Sequence, residues 1–394
     1  YTEMDQTSQA NMQVIYNDES MFPVSAYDGQ SAQAASVALD PKTGAVRALV
    51  GRINSSENAA FRTFNFATQS QRSPGSAIKP LVAYAPAVAA GWSINKELDN
   101  QTTNYNGYSL ENYIGTTSEP VPMYQALAQS LNLPAVYTVN ELGINRAFEY
   151  GKKFGLNMDS VDRVLGVAIG SGVSTNPLQM AQAYSAFANG GVMQDAHLIS
   201  RIETANGKVL ASHKGSSKRV IDQAVADKMT SMMLGTFTNG TGYSADVYGY
   251  DIAGKTGTTE TSFDVNLIND QWIIGYTPDL VISQWVGYEK TDENHYIDGS
   301  TSWMAPVVFQ TVAGSLLPQT KNTGFTVKNA YALNGLDTTN PTTPQVPANE
   351  IEDKVNYWTD RAQELLDQTQ KNITEADLPN KAKSLWDSFV GLFQ

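Results

Sequence analysis

Strand-forming sequence occurs in two blocks of this 394-residue chain, and a long run of predicted helices lies between them. Residues 36–50 alternate apolar and polar side chains on both sides of the turn at 40–44, which predicts a hairpin. Strands are predicted again at 249–258, 271–276 and 280–288. Because distant strands can share one antiparallel sheet with helices inserted between them, we expect an α+β architecture.

Helices are predicted before, between and after the strand blocks. A polar helical pattern covers residues 7–16, and boundary signals place helix starts at Pro122 and Asn140. Longer helices are expected over 176–189, ended by Gly190 and Gly191, and over 222–237 and 303–317. Asn206 and Gly207 indicate the turn of a small hairpin.

Composition divides the chain into three parts. We expect a linker segment at residues 1–35, a folded domain at 36–325, and a C-terminal linker with a helical tail at 326–394. Residues 337–347 are rich in Thr, Asn and Pro, which is typical of a linker. The helix predicted over 350–394 ends in an apolar set that favours packing on its own protein, with contact to a membrane surface as the alternative.

Charge and residue usage exclude several function classes. The net charge of −13 argues against nucleic acid as a partner and against electrostatic binding to anionic lipid. The chain has no cysteine, so disulfides, thiolate zinc sites and cysteine nucleophiles are excluded. Its histidines, His197, His213 and His295, lack metal-site spacing and are expected at the surface. No G-x-S-x-G elbow occurs, so we expect a lysine to activate any catalytic serine.

No segment of the sequence predicts a membrane span or a signal peptide. The longest apolar run near the candidate site, residues 81–91, is interrupted by Pro86 and is too short to cross a bilayer. The chain does not open with a charged and then apolar stretch. We therefore expect a soluble piece that is released or cut from a longer protein.

The motif Ser76-Ala-Ile-Lys79 places a hydroxyl and an amine three residues apart, directly after Pro74 and Gly75. A turn can end and a helix can begin at this point, and positions i and i+3 of a helix share a face. Lys79 would therefore stand beside Ser76 as a candidate base. The amides of the helix start point at the same place and could stabilise an anion.

Two further short patterns, Ser130-Leu131-Asn132 and Lys255-Thr256-Gly257, complete a trio with this motif. Each pattern alone is weak, because the chain repeats all three. Lys42-Thr-Gly44 lies in the predicted hairpin turn, and Ser93-Ile-Asn-Lys96 lies at the far end of the helix that Ser76 begins. The S-x-N matches are Ser56-Glu-Asn58, Ser93-Ile-Asn95 and Ser174-Thr-Asn176, the last of which is typical of a helix cap. Context favours structural roles for these repeats.

The sequence around the trio resembles the transpeptidase domain of class A, bifunctional penicillin-binding proteins. The combination of S-x-x-K, S-x-N and K-T-G is the serine signature of the penicillin-recognising superfamily. The matching runs, in chain order over about residues 1–317, are RSPGSAIKP at 72–80, MYQALAQSLNLP at 123–134, GVAIGSG at 166–172, QMAQAYSAFANGG at 179–191, GKTGTT at 254–259 and WIIGYTPDL at 272–280.

This resemblance implies a fold and a set of roles. The expected fold is a five-stranded antiparallel sheet flanked by helices, with an all-helical lobe facing it. Ser76 is implied as the acylated nucleophile and Lys79 as its general base. Ser130 and Asn132 are implied to line one wall of the site, and Lys255, Thr256 and Gly257 to form the opposite strand.

The chemistry of these residue types is consistent with the implied roles. Lys79 can accept a proton only when neutral, and Lys255 is the obvious second cation that would favour the neutral form. Ser130 could relay the proton, and Lys255 with the hydroxyls of Thr256 and Thr258 suits a substrate carboxylate. Gly257 is expected to let substrate backbone lie close to the strand. The backbone N–H groups of Ser76 and Thr258 would form the oxyanion hole.

One further feature concerns deacylation. Leu131 replaces the aspartate of S-D-N-type β-lactamases, and Glu141 and Asn145 superficially offer a deacylating pair. The residues between them predict a turn between helices, so we expect no deacylating base there. A long-lived acyl-enzyme suits transfer to an amine and inhibition by β-lactams.

The resemblance therefore implies a D,D-transpeptidase without metal or organic cofactor. It would cross-link peptidoglycan stem peptides ending in D-Ala-D-Ala at the extracytoplasmic face of a bacterial membrane, and β-lactam antibiotics would acylate it. The parent protein would be membrane-anchored and carry a glycosyltransferase domain that is absent here. The alternatives are a D,D-carboxypeptidase or β-lactamase of the same superfamily, and a non-catalytic penicillin-binding sensor or scaffold.

Overall fold

The strands of the computed structural model divide into one large sheet and three short pairs. The structure describes residues 1–53, 63–105, 107–108, 110–112 and 119–337. The strands are β1 (Gln33–Leu39), β2 (Val46–Val50), β3 (Glu97–Leu98), β4 (Val121–Pro122), β5 (Val192–Gln194), β6 (Arg201–Glu203), β7 (Val209–Ser212), β8 (Ser217–Arg219), β9 (Ala253–Glu260), β10 (Ile268–Tyr276) and β11 (Val281–Gly287).

Helices fill the intervals between these strands. The α-helices are α1 (Gln6–Asn17), α2 (Phe66–Gln69), α3 (Ala85–Ala89), α4 (Met123–Ala128), α5 (Asn132–Leu142), α6 (Ile144–Lys153), α7 (Pro177–Ala188), α8 (Gln223–Thr238) and α9 (Met304–Leu316). Short 3₁₀ turns occur at Glu19–Met21, Gly75–Ile78, Leu165–Ile169, Tyr243–Ala245 and Leu317–Gln319, and a π-helical stretch at Pro80–Tyr84.

The large sheet joins the two predicted strand blocks. Its order is β2-β1-β11-β10-β9, and every neighbouring pair is antiparallel. Val37 of β1 pairs with Ser283 of β11, which brings together parts of the chain that the helices separate in sequence. The predicted α+β fold with a five-stranded antiparallel sheet is confirmed.

Helices cover both faces of this sheet. On one face, buried side chains such as Val37 and Trp272 pack into a core with α7 and with the helical lobe of α3–α6, which also holds the β3–β4 pair. On the other face, Ala38 and Ile273 pack with α1 and α9. Because both faces are covered, β1 and β11 are buried along nearly their whole length.

Only one edge of the sheet borders the candidate site. The other edge, β2, is covered by α1, where the Gln9 side chain donates to the Leu49 carbonyl at 3.0 Å and accepts from the Leu49 amide at 2.8 Å. An exposed edge strand is a template for pairing with another chain. On β2 the Gln9 side chain already bonds the backbone of this edge. The opposite edge of the sheet is formed by β9.

Most predicted elements occur where they were expected, and one is wrong. Asn140 does not start a helix but lies inside α5, and the next helix begins at Ile144 after Gly143, whose φ is +84°. A polar residue inside a helix carries the same local signal as a helix cap, so the sequence placed this boundary too early. The predicted cap of α7 is confirmed, because the Asn176 side chain accepts from the Gln179 amide at 3.0 Å.

The C-terminal segment still packs on the domain as far as it is described. Ala330 is fully buried, and its amide donates to the Ser231 carbonyl of α8 at 2.9 Å. The limits at residues 35 and 325 stay predictions, and the helix predicted over 350–394 lies outside the described residues. Among the helices that the structure describes, none combines the length and apolar character needed to cross a bilayer.

We expect Gly191→Ala to destabilise the fold much more than Gly207→Ala. Both glycines have a left-handed φ, near +90° and +84°, which costs alanine about 1–2 kcal/mol. At Gly191 the new Cβ would also lie 2.1 Å from the Ile221 carbonyl oxygen, whereas at Gly207 it would meet no atom within 4 Å. Urea unfolding should show an additional loss of about 2 kcal/mol or more for Gly191→Ala, and equal losses would contradict this account.

Candidate active site

The segment that carries Ser76 crosses the edge strand β9 at very short range. A Cβ on Gly75 would lie 2.4 Å from the Thr258 carbonyl oxygen, and a Cβ on Gly257 would lie 2.3 Å from the Pro74 carbonyl oxygen. Neither position can carry a larger residue without a shift of backbone. The approach of substrate backbone to Gly257, which we expect from the sequence, stays a prediction. Gly257 lines the cleft, and the side that a Cβ would occupy faces the Ser76 segment.

Two side chains from other elements and one hydrogen bond from Ser73 hold this segment in place. The Trp272 indole of β10 donates to the Ser73 carbonyl at 2.8 Å. The Tyr184 hydroxyl of α7 donates to the Ala77 carbonyl at 2.6 Å, and the Ser73 hydroxyl donates to the Gly170 carbonyl at 3.0 Å. Ser76 therefore sits between two anchored neighbours, in a 3₁₀ turn that opens the helical stretch over residues 75–89.

Lys79 is fully buried behind the cleft and makes two short hydrogen bonds. Its Nζ donates to the Ser130 carbonyl oxygen and to the Asn132 Oδ1, each at 2.7 Å, and lies 3.5 Å from the Ser130 Oγ. The predicted base and the predicted S-x-N motif are thus joined directly. A neutral amine has two hydrogens and one lone pair, so these two acceptors leave the lone pair free.

Both lysines of the trio lie in surroundings that disfavour their charge. Burial lowers the pKa of Lys79 well below its usual value, and the nearby charge of Lys255 lowers it further. Burial also lowers the pKa of Lys255 to about 7. Lys255 is fully buried and its Nζ donates to the Thr256 carbonyl at 3.0 Å. The predicted second cation is therefore present beside the predicted base.

The wall that carries Ser130 and Asn132 is the junction of α4 and α5. Ser130 has a φ of +58°, a conformation uncommon for a residue with a side chain. Asn132 starts α5, and the Asn112 Oδ1 accepts from the amides of Asn132 and Leu133 at 2.8 and 3.1 Å. No sequence pattern indicated Asn112, because it reaches this helix start from a separate loop.

These elements enclose a cleft of about 1010 Å³. Of the predicted site residues, the cleft is lined by Ser76, Ser130, Asn132, Thr256, Gly257 and Thr258. Lys79 and Lys255 lie behind this lining. Lys79 is hydrogen-bonded to the lining residues Ser130 and Asn132, and Lys255 to Thr256. The sequence missed Arg72, Asp270 and Trp272, which also line the cleft. They lie inside or beside the matched runs, but nothing in the sequence assigned them a role.

The repeated motifs within the described residues lie away from the cleft and have structural contacts. The Ser93 Oγ accepts from the Asn95 amide at 3.1 Å in a turn, and the Lys96 ammonium lies 4.7 Å from the centre of the Trp92 ring. Lys42 lies in the β1–β2 hairpin turn and pairs with Asp279 at 2.9 Å. The repeat at residues 56–58 lies outside the described residues.

The Glu141–Asn145 pair is also separate from the cleft. Glu141 is in the last turn of α5 and does not line the cleft, and Asn145 accepts from Arg163 at 2.6 Å. The predicted turn between these residues is confirmed by the break between α5 and α6 at Gly143. Within the part of the chain that the structure describes, no cluster of histidine and acidic side chains is arranged to hold a metal ion.

Comparison with known proteins identifies relatives across most of the chain. A family model for the penicillin binding protein transpeptidase domain matches residues 34–311. Penicillin-binding protein 2a of Streptococcus pneumoniae is 59% identical over 398 residues, which cover 100% of this chain and 54% of that protein. Penicillin-binding protein 1F of Bacillus subtilis is 35% identical over 278 residues, which cover 70% of this chain and 38% of that protein.

A solved structure supports the same grouping. PonA1 of Mycobacterium tuberculosis, in complex with penicillin V, matches with a TM-score of 0.70 and 26% sequence identity. The match covers 82% of this chain and 87% of that chain. By contrast, this chain spans about half the length of the pneumococcal relative and less of the Bacillus one.

We expect Lys255→Met to flatten the pH dependence of the free energy of unfolding. An unfolded lysine titrates near about 10.4, whereas the folded Lys255 has a pKa of about 7. Between these pH values the unfolded chain binds a proton that the folded chain does not, so stability present above about pH 10 is lost as the pH falls to 7. Lys255→Met removes that contribution.

Urea unfolding at pH 7, 8 and 9 measures the slope of the free energy of unfolding against pH. The control is Lys42→Met, which removes a lysine from the exposed turn after β1. A slope for Lys255→Met equal to that of the unchanged protein would contradict the burial of a weakened cation at this position.

Proposed function

The chain belongs to the penicillin-binding protein transpeptidase family, and from this premise we propose that it is a D,D-transpeptidase that forms an acyl-enzyme on Ser76. Its donor substrate would be a peptidoglycan stem peptide ending in D-Ala-D-Ala. The observation that carries the proposal is the buried Lys79 amine, bonded at 2.7 Å to both Ser130 and Asn132 behind the cleft that Ser76 lines.

Acylation begins at the Ser76 hydroxyl. With Lys79 neutral, its two hydrogens are used by the Ser130 carbonyl and the Asn132 amide oxygen, and its lone pair accepts the Ser76 proton. The Ser76 Oγ then attacks the carbonyl carbon of the penultimate D-alanine. We assign stabilisation of the tetrahedral oxyanion to the backbone N–H groups of Ser76 and Thr258. The close crossing of the two segments supports this assignment, because a Cβ on Gly75 would lie 3.1 Å from the Thr258 nitrogen.

Collapse of this intermediate breaks the peptide bond to the last D-alanine. The leaving nitrogen needs a proton, and the Ser130 hydroxyl, 3.5 Å from the Lys79 Nζ, can supply it and be reprotonated from Lys79. Ser130 is held near this amine by its left-handed backbone at the α4–α5 junction. The products are free D-alanine and an ester between Ser76 and the donor peptide.

The donor peptide is recognised between two walls. β9 is an edge strand, so an extended peptide can add to it through backbone hydrogen bonds. The hydroxyls of Thr256 and Thr258 line the cleft and can bind the terminal carboxylate. Lys255 is buried behind these hydroxyls, and its positive charge attracts the carboxylate although its side chain is not exposed to solvent. The Asn132 amide on the opposite wall can bind the peptide backbone.

The second half of the reaction transfers the acyl group to an amine. A side-chain amine of a neighbouring stem peptide attacks the ester, forms the cross-link and releases Ser76. The position of Glu141 outside the cleft lining favours this outcome over rapid hydrolysis. A β-lactam presents the same carbonyl with a leaving group that stays attached, so we expect it to acylate Ser76 and remain bound.

The relatives also suggest the setting of this domain. Because the chain spans about half the length of its pneumococcal relative, we propose that its parent protein carries a glycosyltransferase domain and a membrane anchor. The domain would then act at the extracytoplasmic face of the bacterial membrane, where peptidoglycan stem peptides are found.

We expect Ser76→Ala to abolish labelling by a fluorescent penicillin, with a loss of at least about 10³-fold in rate. Ser93→Ala is the matched control, because it removes the serine of the second S-x-x-K motif. Gel fluorescence measures the label, and circular dichroism verifies that both variants fold. Labelling that survives Ser76→Ala would assign the nucleophile to another residue.

A second experiment distinguishes transfer from hydrolysis. The protein is given a donor peptide ending in D-Ala-D-Ala and an amine acceptor, and products are identified by mass spectrometry. We expect a cross-linked peptide that disappears with Ser76→Ala. Hydrolysed donor alone would indicate a carboxypeptidase, and loss of a penicilloyl adduct within seconds would indicate a β-lactamase. Acylation by penicillin without turnover of any peptide would indicate a sensor or scaffold.

A further inference from the structure

A buried carboxylate, Asp270 on β10, lines the cleft and has no part in the reaction described above. It is fully buried, and its oxygens accept from the Trp285 indole and the Thr259 hydroxyl, both at 2.8 Å, and from the Asn269 amide at 2.5 Å. Its only charged contact given by the structure is the Arg72 guanidinium, at 3.6 Å. The carboxylate therefore joins four separate side chains.

Burying this charge is costly. A carboxylate removed from water loses several kcal/mol of hydration, which one loose ion pair repays only in part. Burial raises the pKa of Asp270 even though Arg72 and three hydrogen-bond donors oppose the shift. Well-packed apolar residues in place of a buried ion pair are often neutral or stabilising, so stability alone does not account for this carboxylate. The positions of the residues bonded to Asp270 indicate a function for its carboxylate.

Two of the partners lie next to the two halves of the oxyanion hole. Thr259 follows Thr258 directly on β9. Arg72 precedes the Ser76 segment, and its backbone exchanges two hydrogen bonds of 2.9 Å with Thr175. Its guanidinium also donates to the carbonyls of Tyr288 and Glu289, at 2.8 and 2.7 Å. Asp270 thus adds a side-chain link between β9 and the start of the Ser76 segment, besides their direct contact at Gly75 and Gly257.

We propose that Asp270 is a positioning residue that sets the separation of the Ser76 and Thr258 N–H groups through Arg72 and Thr259. This inference rests on the proposed function, which assigns those two groups to the oxyanion hole. The room for displacement of these N–H groups is small, because the Ser76 segment and β9 already cross at the shortest distance that Gly75 and Gly257 allow. Donors displaced by about 1 Å can reduce a rate by about 10²-fold.

The test compares Asp270→Asn with Asp279→Asn. Asp279 is the matched control, because it is also largely buried and bonded, to Lys42 at 2.9 Å and to Thr323 at 2.7 and 2.9 Å. It lies in the turn at the opposite end of β10 from Asp270. Stopped-flow acylation by a β-lactam gives the rate constant of acylation and the dissociation constant of the preceding complex.

For Asp270→Asn we expect acylation to slow by about 10–100-fold with the dissociation constant within about threefold. For Asp279→Asn we expect an unchanged acylation rate constant despite a lower unfolding temperature. A purely structural role for Asp270 would instead reduce the fraction of protein that reacts and leave the rate constant unchanged. That result would overturn the proposal.

Thr259→Val is a milder second variant, and it decides the question if Asp270→Asn does not fold. It removes the hydroxyl that binds Asp270 from the β9 side, so acylation should slow by about three- to tenfold. The double variant should be no slower than Asp270→Asn, because both changes break one linkage. An unchanged rate constant for Thr259→Val would overturn the proposal. If the unchanged protein is not acylated at Ser76, the proposed function itself fails, which is a different result.

Discussion

The amine of Lys79 is the constraint on which the rest of the site depends. An ammonium group this deeply buried is costly, so the surroundings favour a neutral amine that can accept a proton. The neutral form must still be oriented, and the Ser130 carbonyl and Asn132 side chain do this with hydrogen bonds of 2.7 Å. The unusual backbone of Ser130 and the start of α5 at Asn132 follow from that requirement, because both acceptors must face one nitrogen.

The sheet supplies the opposite wall of the site through its one available edge. α1 covers β2 by means of Gln9, and β9 is left as the edge that faces the Ser76 segment. The two glycines at the crossing, Gly75 and Gly257, allow this segment to approach β9 within backbone contact. The proposed nucleophile Ser76, the candidate oxyanion donors and the edge strand β9 are consequently held by the same contact.

The parts of this arrangement that the sequence predicted are those encoded by short spacing. Ser76 with Lys79, and the hairpin of β1 and β2, depend on neighbouring residues and could be inferred locally. The number of strands in the sheet came from the family resemblance, and the strand order was not predicted, because pairing of β1 with β11 joins distant segments. Asn112 and Asp270 were missed for the same reason, since each acts on residues far away or on other strands. Asn140 was wrongly predicted to start a helix, because a polar residue within α5 resembles a helix cap.

Two buried ionisable groups, the Lys79 amine and the Asp270 carboxylate, are connected to the chain after and before Ser76, and the burial of each opposes stability. Lys79 lies three residues after it in the helical stretch, and Arg72, the partner of Asp270, lies four residues before it. Well-packed apolar residues in place of buried charges often stabilise a protein by about 1–4 kcal/mol. A fold that buries both ionisable groups around one cleft therefore gives up stability there, as perturbed ionisable groups at functional sites do. This cost distinguishes the surroundings of Ser76 from those of Ser93, whose Oγ accepts from the Asn95 amide in a turn.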